Sequence, residues 1–494
     1  MKKMTRALAL LLVLIIPLSF ICSCSNNTSQ NHTSPSSSSN GEYDITLYNF
    51  KPEMQSFYRE ICEYYTSETG VKIRFIESDP TKTNIENIRS LMDSFDRPNI
   101  FTIQGLSELQ ELNKDNIVLN LNNAPGEKFK DFTSEIPDDL RLATDNYSNY
   151  GIPYNIEGYG YLADKQMLCD LFGLEDCSTF CSDLKASTYN EFKELVLSAD
   201  RYITSGAVST IVLNGNKYTF APTKTDLSQN LKSVFSVAGA DEWTYTDHMI
   251  NIALCSLFDS QYDASKASQI DKLRDPLIKY AKALDLKTTY ANIPRGNDFI
   301  ADSNNYQSAI ANFANGKSLF IKQGNWAYND ISKNNSESAK RLTIFPVKLP
   351  FESTDIGNKD MSVDKINSSI AIYVPMYYSI NADSSELELK LSEDFLLWLN
   401  TSEYAKNKLI EDFNTIPSDI NTYYHLDNNL NNEILSYKKS NNYISAPYLG
   451  APYLWKENLG GKIKEEYLTK PDWSSDDYQS IADLAISEWN SLRK

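Results

Sequence analysis

Residues 44–76, DITLYNFKPEMQSFYREICEYYTSETGVKIRFI, change from one periodicity to another and back. Residues 44–48 alternate apolar and polar side chains, a pattern typical of a half-buried strand. Apolar side chains then recur at helical spacing over 53–69, and Gly70, a residue type that commonly ends helices, follows. Residues 71–76 alternate again. The stretch therefore predicts a strand, a helix and a second strand.

The same succession of elements continues to residue 103. Ile85, Ile88 and Phe95 are spaced to lie on one side of a second helix, Pro98 ends it, and 99–103 forms a third strand. A strand–helix–strand–helix–strand order predicts a parallel sheet with right-handed crossovers. This region of the chain is therefore an α/β unit.

In a sheet of this kind the loops that leave the carboxyl ends of the strands line one crevice. These loops are residues 49–52, 77–82 and 104–107. The first reads NFKP, which has neither the glycine pattern of a dinucleotide site nor the Gly-Lys-Ser/Thr end of a phosphate loop. A nucleotide ligand therefore loses its main sequence support.

The beginning of the chain has the order of an export signal. Lys2, Lys3 and Arg6 come first, and residues 7–16 are an unbroken apolar run that is too short to span a membrane. Residues 25–41 are polar and rich in Ser and Asn, without apolar periodicity, so we expect a flexible tether.

The end of the signal resembles the lipobox of bacterial lipoproteins, in which a cysteine is diacylated and becomes the first residue of the mature chain. Cys24 fits better than Cys22, which follows the branched Ile21. The resemblance implies a lipoprotein signal peptide at 1–23, lipid on Cys24, and a lipidated tether at 24–41. A plain secretory signal is the alternative.

Length and charge limit the remaining possibilities. The chain has 494 residues, and the part that follows the tether is long enough for two lobes or domains. Its formal net charge of −18 argues against nucleic acid or an anionic membrane surface as a partner.

Aromatic residues are abundant, with 31 Tyr, 21 Phe and 6 Trp. Such rings suit sugar faces, because the apolar C–H patches of a sugar pack on them. Ordinary use of Tyr in cores and on surfaces is the alternative, and composition alone favours it.

Five cysteines lie beyond the signal and Cys24. Cys62 and Cys255 fall in predicted apolar segments and are expected to be buried thiols. Cys169, Cys177 and Cys181 share one short stretch. A local disulfide there is one alternative, and the sequence does not assign its pairing. Histidine occurs only at positions 32, 248 and 425, without ligand spacing, so we predict neither a metal nor a cofactor.

Several segments, in order, resemble the extracellular solute-binding proteins of ABC importers, specifically the sugar-binding branch that includes maltose-binding protein. Residues 98–101 resemble the family's third strand, and 150–168 resemble the crossover into its second lobe. Residues 309–327, which end in Gly-Asn-Trp-Ala, match the "F-x-x-G-K…G-x-W-A" segment, and 395–417 resemble the return helix.

The resemblance implies an α/β fold of two lobes, type II of the periplasmic-binding-protein-like folds, with a hinged cleft. The chain would cross between lobes near 152–154, 368–374 and 414–418. The N-terminal lobe would combine 42–153 with 370–416. The C-terminal lobe would combine 154–369 with 417–494.

The resemblance also implies ligand-binding residues. Trp326 matches the stacking Trp of the family motif, Asn325 precedes it, and Glu157 matches a cleft carboxylate that accepts hydrogen bonds from sugar hydroxyls. Tyr453 and Trp455 resemble a second aromatic platform. The packing alternative for Trp326 is an ordinary Trp in a turn, and for Glu157 a solvated loop carboxylate.

The N-terminal lobe would contribute Asn49 and Lys51 from the first loop and Gln104 after the third strand. Some relatives have a Trp near Gln104, so this departure implies a subsite that differs from that of maltose-binding protein. Trp243 is a weaker candidate for the cleft.

The function that the resemblance implies is capture of a carbohydrate, an oligosaccharide, by a monomer that delivers it to ABC permease subunits. The protein would be lipid-anchored on the extracellular face of a Gram-positive type of cell membrane and would catalyse no reaction. A secreted glycan-active enzyme would also explain export, aromatic residues and carboxylates. A sensory or adhesion lipoprotein of the same fold is a further alternative.

Overall fold

The computed structural model describes residues 42–79, 81–418 and 426–494. The predicted signal peptide at 1–23, the lipidation site Cys24 and the tether to residue 41 lie outside the described residues. His32 and His425 also lie outside them.

Short strands alternate with helices along most of the described chain. The strands are β1 (Ile45–Asn49), β2 (Ile73–Glu77), β3 (Ile100–Ile103), β4 (Ile152–Pro153), β5 (Glu157–Asp164), β6 (Thr210–Leu213), β7 (Asn216–Thr219), β8 (Ser233–Ser236), β9 (Ser318–Gly324), β10 (Leu342–Phe345), β11 (Ile370–Tyr373), β12 (Tyr377–Ile380) and β13 (Tyr443–Ile444).

The helices flank these strands and form the carboxyl-terminal region. They are α1 (Gln55–Thr69), α2 (Asn84–Met92), α3 (Leu106–Asn113), α4 (Glu127–Ser134), α5 (Lys165–Phe172), α6 (Ser178–Ala186), α7 (Tyr189–Ser205), α8 (Trp243–Thr246), α9 (His248–Leu254), α10 (Gln261–Lys266), α11 (Arg274–Thr289), α12 (Tyr306–Ala314), α13 (Tyr328–Asn334), α14 (Ser336–Lys340), α15 (Val363–Asn367), α16 (Glu386–Thr401), α17 (Glu403–Asn407), α18 (Asn429–Lys439), α19 (Trp455–Lys462) and α20 (Ser475–Leu492).

The first sheet has the strand order β2-β1-β3-β12-β4. Strand β1 pairs in parallel with β2 and with β3, as the sequence predicts. Strand β12 returns from much later in the chain and lies antiparallel between β3 and β4. Because successive side chains of a strand point to opposite faces, Leu47 packs with α1 and α16, while Tyr48 packs with α2 and α3.

The second sheet is built around β5, whose residues are all buried. Its order is β13-β11-β5-β9-β8, and β10 also pairs with β5. Strands β9, β10 and β11 each run antiparallel to β5. The two sheets with their helices are the two lobes that the sequence predicts.

Three chain segments connect the lobes and touch one another. Residues 154–156 lead from β4 to β5, and residues 374–376 lead from β11 to β12. The third segment contains Ile416. The Tyr154 N–H donates to the Met376 carbonyl at 3.0 Å, and the Ile156 N–H donates to the Ile416 carbonyl at 2.7 Å. The limits of the two lobes remain a prediction. The sequence assigns residues from 370 onward to the N-terminal lobe, whereas β11, which begins at Ile370, pairs with strands of the second sheet.

Local sequence signals explain most element ends in the first lobe. Helix α1 stops where Gly70 adopts a left-handed conformation, with φ of 78°. The Thr83 and Glu86 side chains form a capping box at the start of α2. Phe95, predicted on the buried side of this helix, is instead 81% exposed, because α2 ends at Met92 before the next turn could form.

The five cysteines of the described chain are free and buried. Cys62 and Cys255 lie in the cores of the first and second lobes, as expected. The Sγ atoms of Cys177 and Cys181 are 3.9 Å apart, and Cys177 donates to the Lys165 carbonyl at 3.3 Å. Among the described residues, no helix has the length and apolar character that a membrane crossing requires.

We predict that Gly160→Ala disrupts the second lobe. A Cβ atom at Gly160 would overlap the Phe345 carbonyl, so β5 and β10 could not keep their pairing. The free energy of unfolding should fall by about 1–3 kcal/mol, the usual cost of overpacking. Urea titration followed by circular dichroism measures it.

Gly461→Ala is the matched control. It lies in α19, and nothing lies within 4 Å of a Cβ atom there. Alanine should keep or raise stability by up to about 1 kcal/mol, because it is the better helix former. Equal losses in both variants would contradict the packing explanation.

Candidate functional site

A cavity of about 470 Å³ lies between the two lobes, beside the segments that join them. Both lobes and the connecting segments contribute to its wall. The lining residues are Lys51, Glu53, Met54, Ser56, Tyr154, Asn155, Glu157, Asn325, Trp326, Asn329, Asp330, Ser332, Lys333, Phe413, Asn414 and Thr415. Four of the eight residues predicted to bind ligand are therefore brought together here.

Lys51 and Glu157 form an ion pair across the cleft. Lys51 follows β1 of the first lobe, and Glu157 is the first residue of β5 in the second. The Lys51 ammonium also lies 3.5 Å from Glu53. Burial alone would lower the pKa of Lys51, but the two carboxylates outweigh it and raise that pKa. The pair holds the lobes together at this point.

Trp326 forms one wall of the cavity. It follows β9 in a short helical turn, and its ring is half-buried. The indole N–H donates to Gln323 Oε1 at 2.9 Å, which fixes the orientation of the ring. One ring face therefore remains available to a ligand in the cavity.

Asn325 lies beside Trp326, but its side chain is used within the protein. Its Oδ1 accepts from the Gly158 N–H at 3.1 Å, and its Nδ2 donates to Asn431 Oδ1 at 3.0 Å. Asn325 thus ties the end of β9 to the start of β5 and to α18. Asn325 therefore mainly positions the cavity wall, because its amide group is already hydrogen-bonded within the protein.

Other asparagines of the wall were not predicted from the sequence. Asn414 Nδ2 donates to Asn329 Oδ1 at 2.7 Å, and Asn329 Nδ2 donates to the Phe413 carbonyl at 3.2 Å. Asn414 itself has φ of 53°, a left-handed conformation that Asn tolerates. The place of Asn414 in the predicted crossing at 414–418 was the available sequence signal for it, and Asn329 had no such signal.

Two buried polar atoms of the wall have no hydrogen-bond partner among the described residues. They are the Tyr154 hydroxyl and Asn155 Oδ1, both in the first connecting segment. Buried polar atoms are normally hydrogen-bonded, so such atoms in a cavity wall suit a hydroxyl-bearing ligand.

The wall of the cavity carries a third carboxylate, Asp330 of α13. It accepts from the Tyr306 hydroxyl at 3.2 Å and from Lys333 at 3.0 Å. Carboxylates that are already held by cations and hydroxyls remain acceptors for further donors, because each has about four lone-pair sites.

An aromatic cluster lies directly behind Trp326. The His248 ring stacks on Tyr159 at 4.2 Å and lies 5.1 Å from Trp326. Trp243, a weaker candidate from the sequence, has its ring 6.3 Å from Trp326. His248 was considered only as a metal ligand in the sequence, and its place here had no sequence signal.

Asn49 does not reach the cavity. It is fully buried, its Nδ2 donates to the Lys51 carbonyl at 2.8 Å, and its Oδ1 has no partner among the described residues. Its side chain turns back on the loop and fixes the backbone of Lys51. The predicted contact with ligand is therefore corrected to support of the Lys51 loop.

Gln104 also lies away from the cavity. Its backbone N–H donates to Glu108 Oε2 at 2.7 Å, and the Asn84 amide donates to the same oxygen at 2.7 Å. The loop after β3 is thus held by α3, and at its end the Leu106 N–H donates to Gln261 Oε1 of the second lobe at 3.0 Å, outside the cavity.

The predicted second aromatic platform is not at the cavity. Tyr453 makes its contact elsewhere, with its hydroxyl 3.3 Å from Thr83 Oγ1 of the first lobe. Trp455 is fully buried, donates to the Ala485 carbonyl at 2.8 Å and packs edge-on against Trp489. Its predicted role as a platform is wrong in this structure, because α19 turns the ring into the core.

The described residues contain no group of three or more His, Cys, Asp or Glu side chains that could hold a metal ion. The polar groups of the cavity wall are mainly amides and carboxylates that already have partners within the protein. The wall of the cavity is therefore largely polar.

The chain belongs to the bacterial extracellular solute-binding proteins, whose family pattern matches residues 60–423. No curated protein sequence matches the chain.

Solved structures with the same fold cover almost the whole chain. The SBP RafE in complex with raffinose has 17% identity and a TM-score of 0.61, over 91% of this chain and 99% of that one. A chitin oligosaccharide binding protein has 15% identity and a TM-score of 0.60, over 91% and 100%. A sugar transporter from Bacillus licheniformis in complex with stachyose has 15% identity and a TM-score of 0.58, over 91% and 99%.

We predict that Glu108 makes the stability of the first lobe pH-dependent. Burial raises its pKa to about 7 in spite of the donors from Gln104 and Asn84. The folded state therefore binds a proton more tightly than the unfolded state, so stability falls as pH rises from about 4.5 to about 7. Between pH 5 and pH 8 the natural protein should lose free energy of unfolding, and Glu108→Gln should reduce this loss by about 1–3 kcal/mol.

Urea unfolding at the two pH values measures this difference. Glu111→Gln on the same helix is the control, because Lys114 and Arg89 outweigh its desolvation and lower its pKa. Its contribution is lost only in more acidic solution, so the difference between pH 5 and pH 8 should not change. An unchanged difference in Glu108→Gln would contradict the prediction.

Proposed function

We propose that the protein captures an oligosaccharide between its lobes and delivers it to the transmembrane subunits of an ABC permease. It acts as a monomer on the extracellular face of the cell membrane, held by a lipid on Cys24. The family and the sugar complexes of structures with the same fold support this proposal.

The observation that carries the proposal is the combination of groups around the cavity. The half-buried face of Trp326 suits the apolar C–H face of a sugar ring. Aromatic contacts of this kind contribute about 0.5–1.5 kcal/mol in addition to the contribution of the buried apolar area. The unpartnered Tyr154 hydroxyl and Asn155 Oδ1 suit sugar hydroxyls at the ring's edge. Glu157 offers a charge-assisted acceptor, which is worth roughly 1.5–3 kcal/mol.

Closure of the cleft would complete the site. The three connecting segments form the hinge, and the Lys51–Glu157 pair joins the lobes when they are closed. Opening separates this pair and admits the sugar, and closing excludes water from its hydroxyls. The closed form would then present both lobes to the permease.

The protein performs no reaction on the sugar in this proposal. A glycosidase needs one carboxyl group as acid and another as nucleophile or base. Here Lys51 engages both Glu157 and Glu53, and Lys333 engages Asp330. Carboxylates held in this way act as fixed acceptors for hydroxyl groups, so a bound sugar should be recovered unchanged.

We predict that Trp326→Ala weakens sugar binding. Loss of the stacking face should raise the Kd by about tenfold or more, equivalent to about 1–3 kcal/mol. A thermal-shift screen of mono- and oligosaccharides identifies a ligand, because a ligand that binds only the folded state raises Tm. Calorimetric titration of that ligand then measures the loss.

Trp398→Ala is the matched control. Trp398 is a half-buried Trp of α16 that packs against Tyr64, Tyr65 and Phe395 in the first lobe, away from the cavity. It should lower Tm and leave the Kd unchanged. Equal binding by Trp326→Ala and the natural protein would overturn the site, and failure of every saccharide to bind would overturn the function.

We predict that Cys24→Ser releases the protein from the membrane. The serine cannot form the thioether that holds a diacylglycerol, and a protein without its lipid has no anchor. Detergent phase partition and fractionation of cells measure the shift from membrane to medium. Cys22→Ser should remain in the membrane fraction, and release of both variants to the same extent would contradict the choice of Cys24.

A further inference from the structure

A chain of four polar side chains runs from the interior of the second lobe to the cavity. Lys322 Nζ lies 2.8 Å from His248 Nδ1, and His248 Nε2 lies 3.5 Å from the Tyr373 hydroxyl. That hydroxyl lies 3.3 Å from Glu157 Oε2, while Lys51 binds the other carboxylate oxygen. Four different elements, β9, α9, β11 and β5, contribute these residues.

The carboxylate at the end fixes the direction of the whole chain. An ionised carboxylate only accepts hydrogen bonds, so the single proton of the Tyr373 hydroxyl must be donated to Glu157. Tyr373 can then only accept from its other neighbours, the Tyr448 hydroxyl and His248, and His248 must carry its proton on Nε2. Nδ1 is left as an acceptor, and Lys322 has protons to donate to it.

Lys322 is an unusual residue for this position. It is 3% exposed, and it has no carboxylate within ion-pair distance among the described residues. Its ammonium group lies over the rings of Tyr159 and Trp243, at 5.5 and 5.4 Å. Burial, with Lys287 nearby, lowers its pKa well below the usual value. A buried lysine without an ion pair is costly, which favours a specific role.

The surroundings keep His248 neutral. Burial and the neighbouring lysines lower its pKa well below the usual value. Lysines reach it from β9, α11, α19 and the loop after β1, and the ionisable rings of Tyr159, Tyr373 and Tyr448 pack around it. Asp247 pairs with Lys456 at 2.9 Å, and Glu157 pairs with Lys51.

We propose that His248 and Tyr373 are positioning residues for sugar binding, which hold Glu157 through a directed chain of hydrogen bonds that Lys322 starts. The chain keeps His248 in its Nε2–H form and the Tyr373 proton on Glu157. This inference rests on the proposed function for its effect on affinity. The tautomer itself does not depend on that function.

The tautomer can be observed directly. In the ¹⁵N-labelled protein, His248 should show a pyridine-type shift at Nδ1 and a pyrrole-type shift at Nε2, and His248→Gln assigns the signals. In Lys322→Met, Nδ1 loses its donor, and the signals should change toward a mixture of both tautomers. A protonated Nδ1 in the natural protein would overturn the proposal, whether or not any sugar binds.

The Lys322→Met substitution also has an expected effect on sugar binding. In Lys322→Met the Nδ1–H tautomer of His248 can accept from Tyr373, which then no longer donates to Glu157. Affinity at pH 8 should therefore fall by about tenfold, the value of one charge-assisted hydrogen bond.

Three comparisons make this result specific. The natural protein should keep the same affinity between pH 8 and pH 6, because its His248 stays neutral. Lys322→Met combined with Tyr373→Phe should stay weak at every pH. Lys348→Met removes another buried lysine of the second lobe, bound to the carbonyls of Lys185 and Asn367, and should keep the natural affinity.

Each of these measurements either supports or overturns the proposed chain of hydrogen bonds. Natural affinity in Lys322→Met, or recovery of that affinity in the double variant, would overturn the proposed chain of hydrogen bonds. Circular dichroism confirms that each variant is folded before titration. If the natural protein binds no saccharide, the proposed function fails, and the nitrogen shifts still test the inference.

Discussion

The pairing of β5 with β9 holds the site together. Strand β5 begins with Glu157 and β9 ends immediately before Asn325 and Trp326, and the two strands run antiparallel. The Asn325 amide oxygen closes the junction by accepting from the Gly158 N–H. Because both strands are fully buried, neither end can move without disrupting the core of the second lobe. The carboxylate and the ring are therefore placed by backbone geometry, with little freedom left to the side chains.

The first lobe reaches across to the second through Lys51, a charged side chain on a short loop. Asn49 fixes this loop from within by its bond to the Lys51 carbonyl, and Glu157 receives the ammonium from across the cleft. The chain from Lys322 through His248 and Tyr373 supports the same carboxylate from the other side. One carboxylate thus connects the closing movement of the lobes with the interior of the second lobe.

Sequence periodicity and order predict the α/β lobes because burial of one face and the ends of helices are local properties. Trp326 and Glu157, which the sequence places at strand ends, both lie at the cavity because motif residues stay close to their own strand ends, and their contact with a ligand stays a prediction. Trp455 fails because the direction of its ring depends on how α19 packs against α20, which no local pattern encodes. Asn414 and His248 are missed for a similar reason: their partners are distant in sequence, and their roles exist only after the segments meet.

The position of β12 has a consequence for the order of folding. This strand lies between β3 and β4 in the first sheet, although it follows the greater part of the second lobe in the chain. A chain that emerges from its amino terminus therefore makes four of the five strands of that sheet early, but β4 cannot join β3 until β12 has emerged. Contacts so remote in sequence form slowly, and the unpaired edge of β3 is exposed in the meantime. The lobe that begins first is completed late, and no enclosed cleft exists until most of the polypeptide has emerged.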